Sequence, residues 1–385
     1  MDNQTVIWIL WGVAALGMGI LWMLGEELSK RLGISGLRRG ALMAGIGLGI
    51  VALSFKAFAL ELLNRHLEEP TAIPLPTVEG PMKRVGRDGA HKWQPLPRQA
   101  PAPEDNPTTM AKVTLGRALF HDRNLSSTGE VACSDCHQLE TGGDDGRALS
   151  LGVGGAQGGR NAPTVWNSAF FSRLFWDGRA ASLEQQAAGP LMHPAEMGNS
   201  SLESLAHKLQ AEGGYGEAFA AAFPQSAEIT PLHITRALAA FQRTLITPDT
   251  PYDRYARGDR SALTAQQQRG LQQFHSLGCR NCHRDPLFSA AAKVQPFGNY
   301  RPFPVHKQHS VVSRYGLMED QGRQGRWRVP SLRNVALTAP YFHNGSVAEL
   351  KEAVRVMGLV QLNRTLTEAQ IEDLTAFLHG LDHDT

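Results

Sequence analysis

Cys133-Ser-Asp-Cys136-His137 and Cys279-Arg-Asn-Cys282-His283 contain every cysteine of the chain, and the reading of these two strings decides the fold. CxxCH is the signature of covalent c-type haem attachment: two thiols reach the two vinyl groups, and the histidine that follows becomes the proximal iron ligand. A structural zinc site would want four thiolate or imidazole ligands, and each string supplies three with a fourth unassigned. A disulfide across two residues strains easily and would leave both histidines unexplained. Covalent haem uses all six residues, so two c-type haems are expected, one on Cys133, Cys136 and His137 and one on Cys279, Cys282 and His283. The sixth position of each iron is then the functional question. Methionine or histidine there makes an electron carrier, whereas an open position binds peroxide or another small ligand.

Outward from the strings a repeat emerges. Before the first, apolar Met110, Val113 and Phe120 fall along one helix face; before the second come Leu271, Phe274 and Leu277, with Thr264 and Gln267 spaced as a capping box. Two similar small helical units are implied. A third helix is predicted from Thr367 to Leu381, where Thr367 and Gln370 make a capping box and Ile371, Leu374, Phe377, Leu378 and Leu381 form one apolar stripe. No segment shows sustained strand alternation, and the glycine-rich run Thr141 to Gly159 reads as loop.

The whole chain, 385 residues with 42% apolar and 19% charged residues and a formal charge of +2, is ordinary globular material. Disorder, collagen and coiled coil are excluded as descriptions of it, and no nucleic-acid partner is expected. Val6 to Gly25 are 20 consecutive uncharged, mainly apolar residues, long enough for a ~30 Å hydrocarbon core. Gly40 to Leu60 is a second such stretch, interrupted by Lys56 alone. The loop between them carries Lys30, Arg31, Arg38 and Arg39 against Glu26 and Glu27, which favours a cytoplasmic loop and an exported remainder. The expectation is an inner-membrane anchor with the catalytic domains in the periplasm, where haem attachment also occurs. Pro70 to Pro107 holds nine prolines without helical or strand period, a tether partly laid over the domain surface. The expected division is 1–66 membrane anchor with two transmembrane helices, 67–108 proline-rich linker, 109–260 first haem domain and 261–385 second haem domain.

Several longer strings carry a resemblance: RNAPTVWN from Arg160 to Asn167, FWDGRA from Phe175 to Ala180, LEQQAAGPLMHPAEM from Leu183 to Met197 and PSLRNVALTAPYFHNG from Pro330 to Gly345. From about Leu115 to Leu381 the chain resembles the bacterial dihaem cytochrome c peroxidase family, which also contains the haem protein that matures methylamine dehydrogenase. The resemblance implies a mainly α chain with two cytochrome c-like haem domains, here preceded by the N-terminal transmembrane anchor. It implies that the N-terminal haem is peroxidatic, with Glu196 as acid and base over its distal face and Gln186 in the distal pocket. Trp176 matches the tryptophan between the two haems. The C-terminal haem would receive electrons, with Met357 as axial ligand, and one calcium ion would be held by Asn161, Thr338 and Pro340.

Peroxide heterolysis needs a proton moved from one oxygen to the other, which a distal carboxylate within hydrogen-bond reach accomplishes. The blander readings are a helix-start carboxylate for Glu196, a core aromatic for Trp176 and a core filler for Met357. Two departures from the family matter. Its loop histidine, which ligates the resting peroxidatic iron, has no counterpart in Ser150-Leu-Gly-Val153-Gly-Gly, so that haem is expected to be open even when oxidised; His193 and His121 are the nearest histidines and lie in other motifs. The anchor is the other departure, since family members are commonly soluble. The expected activity is reduction of hydrogen peroxide by electrons from a reduced cytochrome c, a cupredoxin or a membrane-bound cytochrome, with a homodimer compatible. The rivals are a membrane-tethered dihaem carrier or sensor, and a peroxide-driven oxidase acting on a partner protein.

Overall fold

The computed structural model describes residues 91–226, 228–293, 300–320, 322 and 324–383, and residues 90–385 form one compact unit. The described helices are α1 Met110–Phe120, α2 Cys133–Cys136, α3 Leu183–Met192, α4 Leu202–Glu212, α5 Gly216–Ala222, α6 Pro231–Gln242, α7 Pro251–Ala256, α8 Ala265–Ser276, α9 Ser310–Arg314, α10 Leu350–Leu362 and α11 Glu368–His379. Short 3₁₀ turns fill the connections. Two three-residue strands, β1 Tyr300–Pro302 and β2 Arg326–Arg328, pair antiparallel with Tyr300 opposite Arg328.

The expected transmembrane anchor, and with it the inner-membrane localisation, is corrected here. Among the described residues no helix is long and apolar enough to cross a membrane. The longest, α10, has 13 residues, about 20 Å of rise against the ~30 Å of a hydrocarbon core. The apolar stretches 6–25 and 40–60 lie outside the described residues. The description that stands is a mainly helical chain.

Two helix pairs make the skeleton, and each crosses on a glycine. A Cβ built on Gly116 of α1 would sit 2.0 Å from Ala237 O and 2.8 Å from Phe241 Cβ of α6. One built on Gly270 of α8 would sit 1.9 Å from Asp373 O and 2.7 Å from Phe377 Cβ of α11. Both crossings therefore need a residue without a side chain, against partners four positions apart on one helix face. The capping boxes at Thr264 and Thr367 are formed, and Ile371, Leu374, Phe377, Leu378 and Leu381 are all buried. The face of α1 differs from expectation: Met110 is 79% exposed, and Leu115, Leu119 and Phe120 flank Gly116 in the core. The crossing at Gly116 dictates which side of the helix is inside.

Residues 91–106 lie along this unit as a strap. Gln94 N donates to Asp285 Oδ2 (2.9 Å) and Leu96 N to Asp253 Oδ1 (2.7 Å). The Leu96 side chain is buried with Phe170, Leu174 and Leu287. Asp253 also takes a fully buried, two-pronged ion pair from Arg333, both contacts at 2.8 Å, a geometry that recovers much of the desolvation cost of burying two charges.

Candidate active site

Each attachment string folds into a tight turn that aims its histidine. In the first, His137 N donates to Cys133 O (2.9 Å), and Asp135 closes the turn by accepting from Ala132 N (2.8 Å) and from Arg123 (3.0 Å). In the second, His283 N donates to Cys279 O (3.0 Å). His137 Nδ1 lies 3.1 Å from Gly143 O and His283 Nδ1 3.1 Å from Phe288 O. A carbonyl only accepts, so each Nδ1 carries the proton and each Nε2 is left with its lone pair, the tautomer an iron ligand requires. Burial holds His137 below its ordinary pKa and His283 down to about 4, so both rings are neutral. The four cysteines are free and half-buried. Burial pushes Cys133 and Cys279 up to about 12 and Cys136 up to about 11, which keeps them as thiols. Among the described residues no three His, Cys, Asp or Glu side chains converge on a common metal position.

Cys133, Cys136 and His137 open onto a cavity of about 520 Å³, within the range of cofactor pockets. Glu196, Gln186, Trp176 and Asn161 line the same cavity. Helix α3 presents Gln186; Ser182 caps its start by accepting from Gln185 N, and Pro190 precedes its end at His193. The chain then turns through His193-Pro-Ala-Glu196, closed by Glu196 N donating to His193 O (2.9 Å). That turn holds the Glu196 carboxylate 3.6 Å from His193 Nδ1. Burial raises the Glu196 pKa, while His193 and Arg179 pull against it. The loop that lacks a histidine packs directly on this turn. Val153 N donates to Glu196 O (2.9 Å), and a Cβ on Gly152 would fall 2.2 Å from Ala195 O and 2.4 Å from Glu196 O. Gly152 thus sets how closely the loop approaches the glutamate.

Trp176 is fixed by its indole N–H, which donates to Asn161 O (2.8 Å). Asn161 is buried, donates through Nδ2 to Arg147 O (2.9 Å) and through its main chain to His343 O (2.8 Å). Thr338 and Pro340 lie on the segment that leads to His343 and do not line the cavity. Met357 is half-buried on α10, also away from the cavity; its neighbours Val356 and Val360 turn into a cluster with Val311, Val312 and Leu317. His121 ends α1 and is likewise absent from the cavity wall.

The wall also carries charged and titratable residues that the sequence reading did not select, among them His193, Arg179 and Arg328. His193 was legible from its position three before Glu196. Arg328, more than 130 residues from both Phe175 and the α3 region, carries no local signal. Buried polar atoms without a hydrogen-bond partner include Arg328 Nη1, Trp327 Nε1 and His343 Nε2. These are donor-rich groups in a polar region next to an apolar cavity, the chemistry that suits a flat macrocycle with carboxylate substituents.

The model of the di-haem cytochrome c peroxidase family matches residues 110–261. Cytochrome c551 peroxidase of Pseudomonas aeruginosa is 38% identical over 291 residues, which are 75% of this chain and 84% of that protein. Cytochrome c peroxidase Ccp of Escherichia coli is 42% identical over 293 residues, 76% of this chain but 62% of that protein, so the chain spans less than two thirds of its length. Methylamine utilization protein MauG of Methylophilus methylotrophus is 36% identical, over 74% of this chain and 87% of that protein. Among solved structures, a MauG-like protein associated with microbial copper homeostasis superposes with a TM-score of 0.64 at 31% identity, covering 78% of this chain and 96% of that one. The chain belongs to the di-haem cytochrome c peroxidase family, and membership implies two c-type haems.

Proposed function

We propose that this member of the family reduces hydrogen peroxide to water in the cavity of the first attachment string, drawing electrons through the second. The observation that carries the reading is the presence of the Glu196 carboxyl in the same cavity as Cys133, Cys136 and His137. Bound on the two strings, the haems supply the redox chemistry. Glu196 takes a proton from one peroxide oxygen and returns it to the other, which leaves as water when the O–O bond breaks; two electrons and two further protons complete the second water. The relay starts from the ionised carboxylate, which His193 and Arg179 favour against the burial that opposes it. Gln186 offers an amide on a rigid helix for orienting peroxide, and the glutamate turn is braced by Gly152 and Val153. With no histidine in that loop, it would offer no ligand to a haem bound on the first string, and peroxide could bind in the oxidised enzyme.

Charge supports the second string as the point of electron entry. Asp135, Asp145 and Glu196 surround the first cysteine pair, whereas Arg301 and Arg284 act on Cys282. Carboxylates would stabilise an oxidised, more positive iron bound on the first string and guanidinium groups a reduced one on the second, where ligation by Met357 would raise the potential further. A haem held by Cys279, Cys282 and His283 would therefore be suited to accept electrons from a donor such as reduced cytochrome c or a cupredoxin, and Trp176 is the proposed conduit onward. Asn161 commits its amide nitrogen to Arg147 O, which leaves Oδ1 as the hard oxygen donor that calcium prefers, with the carbonyls of Thr338 and Pro340 as companions.

EPR of the oxidised holoprotein before and after peroxide, paired with turnover on reduced cytochrome c, tests the reading. A high-spin signal that peroxide consumes without prior reduction, with cytochrome oxidised in step, is expected. Two low-spin signals inert to peroxide would leave an electron carrier. Peroxide consumption with no cytochrome oxidation would move the function to oxidation of a partner protein.

A further inference from the structure

Arg328 is the anomaly of the first cavity. It is 3% exposed, and Nη1 has no hydrogen-bond partner. The other two arginines on the wall are neutralised: Arg160 pairs with Asp177 (2.8 Å) and Asp320 (2.5 Å), and Arg179 with Asp177 (3.0 Å). Asp177, the nearest acid to act on Arg328, is thus already shared by two guanidinium groups. Burial drags the Arg328 pKa down to about 10, with Asp177 pulling only partly against it. A buried unpaired charge is costly enough that a fold retains one only where something neutralises it.

The side chain is also held firmly. Nε donates to Phe175 O (2.8 Å), the guanidinium stacks 3.9 Å from the Phe171 ring, and the main-chain N–H donates to Trp176 O (2.9 Å). Its direction follows from β2, where successive side chains point to opposite faces. Trp327 goes to His343, ring centroids 4.2 Å apart, and Arg328 goes to the cavity.

We propose that Arg328 is the anion-binding residue of the first haem site, its free Nη1 taking a propionate carboxylate of that haem and tying the seating of the macrocycle to the position of Trp176. The contact is charge-assisted and dry, the setting in which such bonds are strongest. It rests on the reading of the first string as a haem site, and it assigns Arg328 a positioning role, acting through the haem edge and the 175–176 turn. Without the cation, the unpaired carboxylate would favour the oxidised, more positive iron.

The test is a redox titration of the full-length holoprotein as wild type, R328Q and R328K, with each haem followed by its own EPR and optical signal and haem content counted as the pyridine haemochrome. In R328Q with two haems per chain, the potential of the first haem should fall while that of the second stays put, and R328K should restore most of the shift. An unmoved first potential, or an equal fall at both haems, overturns the proposal. Should R328Q fail to fold, a crystal structure of the wild-type holoprotein decides: a propionate oxygen within hydrogen-bond distance of Nη1 supports the assignment, and any other occupant of that position overturns it. A wild-type chain carrying haem only on the second string would refute the peroxidase reading itself and this contact with it.

Discussion

Around Cys133 and Cys136 the charged neighbours are carboxylates, whereas the field at Cys282 comes from Arg301 and Arg284. Yet His137 and His283 each spend Nδ1 on a backbone carbonyl at 3.1 Å, and each half crosses its helices on a glycine pressed against a main-chain oxygen. The difference lies in what surrounds a common skeleton. One site received a glutamate turn and a cavity beside its histidine, with carboxylates nearest its cysteines; at the other, cations lie nearest the cysteine. A duplicated skeleton thus carries different surroundings, some set by residues within or beside the strings, such as Asp135 and Arg284, and some, such as Glu196, brought from far along the chain.

The sharpest way to break this comparison is at Glu196. E196Q should lower peroxide turnover by about 10²–10⁴-fold, the usual contribution of a positioned acid–base group, with both haems loaded and the second potential unchanged. Steady-state turnover alongside the redox titration checks it; retention of a tenth or more of wild-type activity would show that the two sites do not differ in proton handling.

Next in size are the crossings. G116A and G270A each force a methyl group into a main-chain oxygen, and each should cost about 3 kcal/mol, the upper range for overpacking. Chemical unfolding of the holoprotein measures this, and a loss under ~0.5 kcal/mol at either position would mean that half tolerates a wider crossing than its twin.

A smaller effect separates two buried aspartates. Asp285 is bonded to His91, Gln94 and Arg280, whereas Asp144 Oδ2 has no partner and burial raises that group to about 7. The folded state thus binds a proton that the unfolded chain has already lost, and wild-type stability falls as pH rises from about 4 through 7. D144N should be more stable than wild type at pH 8, by on the order of 2 kcal/mol, and equal to it below pH 4. The same change at Asp285 should destabilise, since it removes charge-assisted bonds. Thermal unfolding against pH distinguishes the pair.

The smallest effect is at His193. H193Q removes a group that lowers the Glu196 pKa, so the acid limb of the turnover profile should move to higher pH while the maximum rate is kept. A limb that stays in place would detach His193 from the relay.

Legibility in the sequence followed the range of the interaction. The capping boxes at Thr264 and Thr367 and the stripe on α11 are local rules, and their residues form the helices they announced. Met110 was placed on the inner face of α1 but is exposed, because the crossing at Gly116, which no local pattern marks, orients that helix. Glu196, Gln186 and Trp176 were reached through motif resemblance, and the cavity gathers all three. Arg328 was out of reach, because its importance appears only when β2 is laid beside Phe175 and Trp176.

The strap of residues 91–106 has one last implication. It is anchored at Asp285 and Asp253, buries Leu96 between Phe170 and Leu287, and ends with Asn106 bonded to Glu184 at 2.7 Å. A single thread therefore ties the segments around the two attachment strings together, and on the proposed route the gap an electron would cross is fixed once, at folding, instead of being renegotiated at every encounter.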